Sequence, residues 1–412
     1  MLLNVLRTAR FGLWWLLLWG PPLVSQDVRR ISLPEATRLF VVGGPALAAS
    51  RADARQAAGV ARQAAAWPNP TLDLSHESLS DAGRTARESY ITVRQQVPWP
   101  WTNAAVRRAA GRIGEAAAAR AEAEEVDLHF AVREAYLAAA FAEAAHAAAA
   151  EAIGDVRRAE SDMEQRAAVG DVSGYALRRL RVERARYEVE LAELAVQVAQ
   201  TRLALTGLVG ADGDVLLAPD GFPQGAVPAP AVTAGSERPV VAAARAQVAA
   251  ARARVGSAAA PRWPALTLLG GLKTQADGLR GLYVGVGLPL PLFDWQGPAV
   301  DAANAGVAAA EARLAGVTHQ ARSDEVTARA ALDAQVALGR VLAADIPLDP
   351  NGLVTAARVS YAEGEGSLLE FLDAINAARE ARVLTARHQR DLWMAAFALQ
   401  RVLGSDASEG VR

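Results

Sequence analysis

The sequence contains no cysteine, and this absence excludes a disulfide framework, a thiolate metal site and a cysteine nucleophile. It also excludes a lipid anchor attached to an N-terminal cysteine. Aromatic residues make up only 6% of a chain that is 52% hydrophobic, so most of the apolar mass is Ala, Leu and Val. Such a composition suits long helices better than a bulky globular core.

Neither sign of charge is in excess, because 43 Lys and Arg stand against 45 Asp and Glu, a formal net charge of −2. A nucleic-acid-binding protein needs a basic face to neutralise phosphates, so nucleic acid is excluded as a partner. The five histidines are scattered without the spacing of a zinc motif, and no P-loop, dinucleotide fingerprint or nucleophile elbow occurs. We therefore expect no catalytic residue, no metal site and no cofactor: this chain is not an enzyme.

The N-terminus has the features of an export signal. Arg7 and Arg10 precede the short apolar run from Phe11 to Trp19, a Gly-Pro-Pro break follows, and Ser25 offers a small residue for cleavage. The run is too short to cross about 30 Å of hydrocarbon as a helix. Residues 1–25 are therefore predicted to be a signal peptide, and the mature protein to be periplasmic, secreted or in an outer membrane.

The rest of the chain repeats itself. Trp67-Pro returns as Trp263-Pro, Pro98 has a counterpart in Pro291, and Gly170 has one in Gly364. All three pairs share nearly one offset, about 195 residues, which indicates two copies of one unit. We predict a first repeat over residues 32–210, a linker over 211–237 with loop composition, a second repeat over 238–404 and a short tail over 405–412.

Each repeat has the order helix, two strands, very long helix, turn, helix. The first helix is expected to run unbroken from an N-cap at Ser32 to Ala66. Residues 70–98 and 264–290 then alternate apolar and polar side chains, which predicts two strands in each segment. The alternation fits a soluble hairpin with one buried face as well as strands that cross an outer membrane.

The helices decide between these alternatives. The sequence is compatible with one helix from Trp101 to Val169, which at 1.5 Å per residue would be about 100 Å long. The returning helix has apolar residues at coiled-coil spacing, and a second, less regular hairpin is interrupted near residues 346–350. Four membrane strands cannot close a barrel, so several chains must share one, and three chains would give about twelve strands.

These segments together resemble the TolC family of outer-membrane efflux proteins. The similarity is carried by the order and spacing of Ala66–Pro70, Gly170–Ser173, Val286–Gly297, and Tyr361–Gly364 followed by Ser367–Ala374. The short central insertions are most similar to the heavy-metal branch that serves resistance-nodulation-division pumps. The resemblance implies a mainly α fold with membrane β: long coiled-coil hairpins and four strands per protomer, with a homotrimer that forms a 12-stranded β-barrel and an α-helical periplasmic tunnel.

The same resemblance implies a function and partners. The protein would be the passive exit duct of a tripartite efflux pump for small molecules or metal ions, working with a periplasmic adaptor and an inner-membrane pump and embedded in outer-membrane lipid. An outer-membrane duct for type I protein secretion is an alternative with the same architecture. A soluble periplasmic coiled-coil scaffold is an alternative of a different class.

Two carboxylates, Glu370 and Asp373, are candidates for a gate or selectivity ring. They lie one helical turn apart just after Gly364, at the expected periplasmic tip, and three-fold symmetry would make each a ring that attracts cations. The alternative, that both are charges on the outer face of a helix, is equally compatible with the sequence.

Two further groups of residues are candidates by position. The resemblance implies adaptor contact at the tip turns, marked by Val169, Gly170, Tyr361 and Gly364. The strand-to-helix junctions are marked by Pro98, Trp101, Pro289, Pro291 and Gly297. Aromatic residues at these junctions fit either anchoring at the membrane interface or plain packing between barrel and tunnel.

Overall fold

A computed structural model describes residues 29–81, 84–170, 172–211, 213, 215–218, 221–223, 237–345 and 349–404. The predicted signal peptide, most of the linker and the C-terminal tail lie outside these residues.

The described residues form eight α-helices and six strands. The helices are α1 (Leu33–Gly43), α2 (Pro45–Ala64), α3 (Pro100–Ala168), α4 (Gly174–Val209), α5 (Pro239–Ala259), α6 (Gly297–Asp345), α7 (Pro350–Glu363) and α8 (Leu368–Leu403). The strands are β1 (Arg29–Ile31), β2 (Thr71–Asp81), β3 (Arg84–Val97), β4 (Val215–Leu217), β5 (Leu266–Gln275) and β6 (Arg280–Gly287). No helix in the described part of the chain is both long and apolar enough to cross a membrane.

Four strands form one antiparallel sheet in the order β2-β3-β5-β6. The hairpin of the first repeat is joined to the hairpin of the second by the pairing of β3 with β5, which runs from Glu88 opposite Gln275 to Val97 opposite Leu266. The outer edges of β2 and β6 have no strand partner among the described residues. An open sheet edge of this kind offers unpaired backbone groups to another chain.

The longest helix, α3, has 69 residues and confirms the helix predicted from Trp101 to Val169. Pro100 occupies its first turn, where a missing N–H costs nothing, and the segment that follows is rich in alanine and free of proline. At 1.5 Å per residue, α3 is about 100 Å long. This length sets the distance between the sheet and the far end of the molecule.

The helices form a single layer that is four helices wide. Next to the sheet, α2 packs on α3, α3 on α5, and α5 on α6. Towards the far end, α4 packs on α3, α3 on α8, and α8 on α6 and α7. One flank of the layer is therefore formed by α2 and α4, and the other by α6. The sheet likewise has β2 at one edge and β6 at the other.

The two largest of the apolar clusters that hold this layer together lie at the middle and at the far end of α3. The first surrounds the middle of α3 and includes Phe40, Leu47, Tyr136 and Leu205, all of which are buried. The second lies at the far end and joins α3, α4, α7 and α8 through side chains such as Met163, Leu180 and Phe371. Between the clusters, alanines on α3 let its neighbours approach closely.

Two details differ from the sequence-based expectations. The first helix is two helices, α1 and α2, because Gly44 is extended before Pro45, and a residue before proline is disfavoured in the helical region. Ser32 stands at the N-cap of α1 but makes no side-chain cap hydrogen bond. The second difference is a small parallel sheet, absent from the expectations, in which β1 (Arg29–Ile31) pairs with β4 (Val215–Leu217). Three-residue strands carry too little pattern to be recognised from sequence.

Candidate functional site

The two hairpins end in turns of the same geometry. Gly170 after α3 and Gly364 after α7 have φ angles of +86° and +79°, in the left-handed region that glycine adopts without strain. Three residues later, Ser173 and Ser367 cap the following helices: their Oγ atoms accept hydrogen bonds from the N–H groups of Ala176 at 3.3 Å and Glu370 at 3.2 Å. The turns are therefore structural equivalents in the two repeats.

The tips are packed against each other rather than free. The ring of Tyr361 stacks on that of Phe371, with centroids 5.8 Å apart and planes 8° apart, and the guanidinium of Arg166 lies 5.7 Å above Tyr361. Of the four predicted turn residues, Tyr361 is thus part of the tip core. Val169, Gly170 and Gly364 are exposed and available to a partner.

Glu370 has a local role that sequence reasoning missed. Its Oε2 accepts a hydrogen bond from the N–H of Ser367 at 2.6 Å, which completes a reciprocal capping box at the start of α8. The backbone N–H of Ser367, and then its hydroxyl, lower the pKa of Glu370 below its ordinary value. A Ser followed three residues later by Glu was the signal that could have revealed the cap.

Asp373 differs from Glu370 in its surroundings. It lies on the next turn of α8 and is exposed. No hydrogen bond or ion pair of Asp373 is found among the described residues, so its carboxylate is free to face solvent. The structure therefore places both carboxylates at the same end of α8. Glu370 caps the helix, whereas Asp373 is exposed and does not.

Ion pairs connect the two hairpins close to the tips. Arg379 on α8 meets Glu190 on α4 at 2.6 Å, and Arg382 on α8 meets Glu151 on α3 at 2.9 Å. Both arginine side chains are about four-fifths buried, at 20% and 21% exposure, so these pairs are better shielded from solvent than a surface salt bridge. The sequence does not reveal them, since the partners are far apart in the chain.

At the other end of the helices, tryptophans pack where the strands become helices. The rings of Trp99 and Trp101 stack 5.1 Å apart, and Trp101 meets Trp263 of the second repeat edge to face at 5.9 Å. The indole N–H of Trp99 donates to the carbonyl of Pro264 at 3.1 Å. These contacts tie the junctions of the two repeats together while Trp101 and Trp263 stay partly exposed.

The other predicted junction residues fall in the same region. Pro98 separates β3 from α3, Pro289 and Pro291 lie between β6 and α6, and Gly297 is the first residue of α6. Trp295 is exposed, and its carbonyl accepts a hydrogen bond from Arg262 at 3.0 Å.

The four-stranded sheet has one apolar face. Leu74, Ile91, Leu272 and Leu282 lie directly opposite one another across the four strands. The apolar face continues with Leu72, Val93, Leu268, Val284 and Val286. No element in the described part of the chain covers it: Leu282 and Val284 are 84% and 88% exposed.

The opposite face of the sheet is polar. Tyr283 on β6 crosses Gly271 on β5 to hydrogen-bond Thr92 on β3, and a Cβ at Gly271 would lie 2.8 Å from the tyrosine ring. Charged residues on this face include Asp73, Glu77, Asp81, Glu88, Arg94 and Lys273. The alternation of apolar and polar residues along each strand predicts that these residues lie on the polar face. The pairing across strands that brings them together is not visible in the sequence.

Among the residues that the structure describes, no three His, Asp or Glu side chains form a group that could hold a metal ion. The candidate features described above are surfaces and turns.

Comparisons with known proteins agree with this architecture. Residues 232–405 match the model of the family described as outer membrane efflux protein. The cobalt-zinc-cadmium resistance protein CzcC of Cupriavidus metallidurans is 27% identical over 352 residues, which are 83% of this chain and 82% of CzcC.

Solved structures share the fold. A membrane protein from Pseudomonas aeruginosa superposes with a TM-score of 0.72 at 21% identity, covering 90% of this chain and 93% of that one. CusC, a protein that forms a transmembrane channel, superposes with a TM-score of 0.70 at 19% identity over 91% of this chain and 92% of its own. The resemblance inferred from the sequence is confirmed. The second repeat therefore matches the family of outer membrane efflux proteins, and the chain as a whole has the fold of the channel-forming protein CusC.

Proposed function

We propose that three copies of the chain close into a ring that serves as the passive exit duct of a tripartite efflux pump. The observation that carries this proposal is the four-stranded sheet, which has one exposed apolar face and, among the described residues, two unpaired edges. Open edges are not tolerated in lipid, so a sheet that turns its apolar face to lipid must pair both edges. Three copies would supply twelve strands, within the range of outer-membrane barrels.

The helical layer supports the same ring. Its free flanks, α4 and α6, are different surfaces, and a contact between unlike surfaces that closes on itself generates a cyclic oligomer. The outer side of α4 has a second stripe of exposed apolar residues at alternating three- and four-residue steps: Val182, Ala185, Val189, Ala192, Val196, Ala199 and Leu203. A solvated helix face would be polar at these positions. A neighbouring copy of the chain would cover the stripe.

The tips are the proposed contact with the periplasmic adaptor, through which an inner-membrane pump would deliver the cargo. Val169 and Gly170 of the first hairpin and Gly364 of the second are exposed at equivalent turns. Asp373 and Glu370 would form rings of three carboxylates at this end, with Asp373 the stronger candidate because Glu370 also caps α8. Such rings favour the passage of cations.

The proposed cargo is a metal cation. CzcC is a cobalt, zinc and cadmium resistance protein, and this likeness favours metal cations over other small molecules. A duct has no reacting groups, so the partner pump would select the cargo.

Light scattering and negative-stain imaging of the detergent-extracted full-length protein test the duct. We expect a particle with the mass of three chains, three-fold symmetry and a tube on the order of 100 Å long, as required by a 69-residue helix. A monomer that stays in solution without detergent would overturn the proposal and favour a periplasmic scaffold.

A further inference from the structure

The charges on the polar face of the sheet are largely arranged in neutral pairs. Asp73 and Arg94 are joined by an ion pair of 3.4 Å between β2 and β3, and Glu88 and Lys273 by one of 2.9 Å between β3 and β5. Glu77 on β2, in contrast, has no ion pair or hydrogen bond among the residues that the structure describes.

The carboxylate of Glu88 accepts hydrogen bonds from three side chains. Its Oε2 accepts from the ammonium of Lys273 and from the hydroxyl of Tyr90, and its Oε1 accepts from the amide of Gln275 at 3.0 Å. The ammonium of Lys273 also lies 5.2 Å above the ring of Tyr90. Lys273 is the one cationic donor of the three, so its charge opposes the approach of another cation to Glu88.

The pairing of Glu88 matters because a second carboxylate, that of Glu77, lies beside it. Glu77 lies directly opposite Glu88 in the register of β2 and β3. The Cβ atoms of such a pair are about 5 Å apart, close enough for both carboxylates to reach one ion. Two carboxylates at this distance are the oxygen ligands that hard divalent cations prefer. Lys273, which reaches Glu88 from β5 on the other side of β3, is the positive charge that pairs with one of these two carboxylates.

We propose that Lys273 determines specificity in the exit duct, by preventing Glu77 and Glu88 from capturing divalent cations in transit. The inference rests on the proposed function, in which the polar face lines the conduit. Conduction requires binding weak enough for the ion to leave. Because Glu88 binds Lys273 within the chain, the conduit keeps a polar lining that does not retain metal cargo near its outer end.

Mn²⁺ binding to the detergent-extracted full chain tests the inference without requiring conduction. The variant Lys273→Gln should gain one Mn²⁺ site per chain, with a dissociation constant of about 10⁻⁴ to 10⁻³ M, measured as loss of the free-ion electron paramagnetic resonance signal. Glu77→Gln combined with Lys273→Gln should lose the gained site. Lys273→Arg, which keeps the charge, should bind as the unaltered chain does.

Arg94→Gln is the matched control. It removes the same charge from the same face and frees Asp73, but the residue opposite Asp73 is Thr92 rather than a carboxylate. This variant should gain no Mn²⁺ site. Equal Mn²⁺ binding by Arg94→Gln and Lys273→Gln would overturn the proposal, as would no gain in Lys273→Gln.

Single-channel recordings separate this inference from the duct itself. With about 1 mM Mn²⁺ the conductance of Lys273→Gln should fall to roughly half, while the unaltered channel and Arg94→Gln should change little. An unaltered chain that forms no channel would contradict the proposed function, while the Mn²⁺ binding measurements would still decide the role of Lys273. A conducting Lys273→Gln channel that binds Mn²⁺ but is not blocked would overturn the role in transit.

Discussion

At the scale of single residues, the tip combines helix capping with candidate selectivity. Glu370 is a candidate ring carboxylate and also the partner of Ser367 in a capping box. Asp373 has no such second role among the described residues. Substitutions at the two positions should therefore separate structure from ion selectivity.

Ser367→Ala should loosen the first turn of α8. It removes the side-chain acceptor for the N–H of Glu370, a loss that typically costs about 0.5–2 kcal/mol. Faster amide exchange over the first turn of α8, measured by mass spectrometry, would report the loss. Asp373→Asn, one turn farther along, should leave this exchange unchanged and instead reduce cation preference in bilayer recordings.

The same cap should depend on pH. The pKa of Glu370 is lowered from its ordinary 4.5 by the N–H and then the hydroxyl of Ser367. A carboxylate with a lowered folded pKa stabilises the fold above its unfolded pKa and loses that contribution as pH falls through the folded pKa. Intrinsic-rate-corrected exchange at the start of α8 should therefore rise below pH 4.5. Glu370→Gln, which cannot ionise, should lack this response.

Two glycines near the first tip should respond to alanine with opposite signs. Gly170 has a φ of +86°, so Gly170→Ala should destabilise the turn by about 1–2 kcal/mol. Gly174 lies in the first turn of α4 with open space around its Cβ position, so Gly174→Ala should stabilise by up to about 1 kcal/mol. Thermal unfolding followed by circular dichroism compares the two. Equal shifts in midpoint would contradict the geometry of the turn.

At the scale of elements, α4 has two apolar faces, of which only the inner one packs against the rest of the described chain. The inner face was predictable from the sequence, and its heptad positions are all buried or half-buried against the rest of the chain. They are Leu177, Leu180, Arg184, Tyr187, Leu191, Leu194, Val198, Thr201, Leu205 and Leu208. The outer stripe of Val182 to Leu203 is covered by none of the described residues, and burial alone distinguishes it from the inner face.

Val189→Glu should prevent assembly while leaving the chain folded. Val189 lies in the middle of the outer stripe, 60% exposed, so a charge costs little in the single chain but would be buried in the ring. Light scattering should show monomers in place of trimers, with unchanged helical content by circular dichroism. Gln200→Glu adds the same charge at an exposed position beside the stripe and should assemble normally. A trimeric Val189→Glu would exclude this stripe as an assembly surface.

The elements show why sequence reasoning succeeded in some places and failed in others. Periodicity over many residues predicted α3, the inner face of α4 and the alternation in the sheet, because each signal is repeated many times along one element. The break at Gly44 was a local signal, Gly-Gly-Pro, that the surrounding helical pattern concealed. Pairings such as Arg379 with Glu190 and Lys273 with Glu88 depend on contacts between elements, and a single sequence does not specify them.

At the scale of the whole molecule, the two faces of the sheet should meet different solvents. Because the chain has no native cysteine, a single introduced thiol can be followed without background. In lipid vesicles, Val284→Cys on the apolar face should react with a lipid-soluble maleimide and resist a membrane-impermeant one. Ser75→Cys on the polar face should react with the impermeant reagent. The reverse pattern would turn the sheet inside out and contradict the proposed barrel.

The equivalence of the two tip turns has a consequence for the origin of the molecule. Gly170 with Ser173 and Gly364 with Ser367 form the same turn and cap. Each repeat supplies two strands of the four-stranded sheet and one helical hairpin. A half-length ancestor with one repeat would need six copies to build the same ring. Fusion of two repeats makes every second interface intramolecular, and so removes the loss of translational and rotational freedom at three of six joints. It also frees the two halves to diverge, so that an acidic cap remains in the second repeat where Ala176 stands in the first.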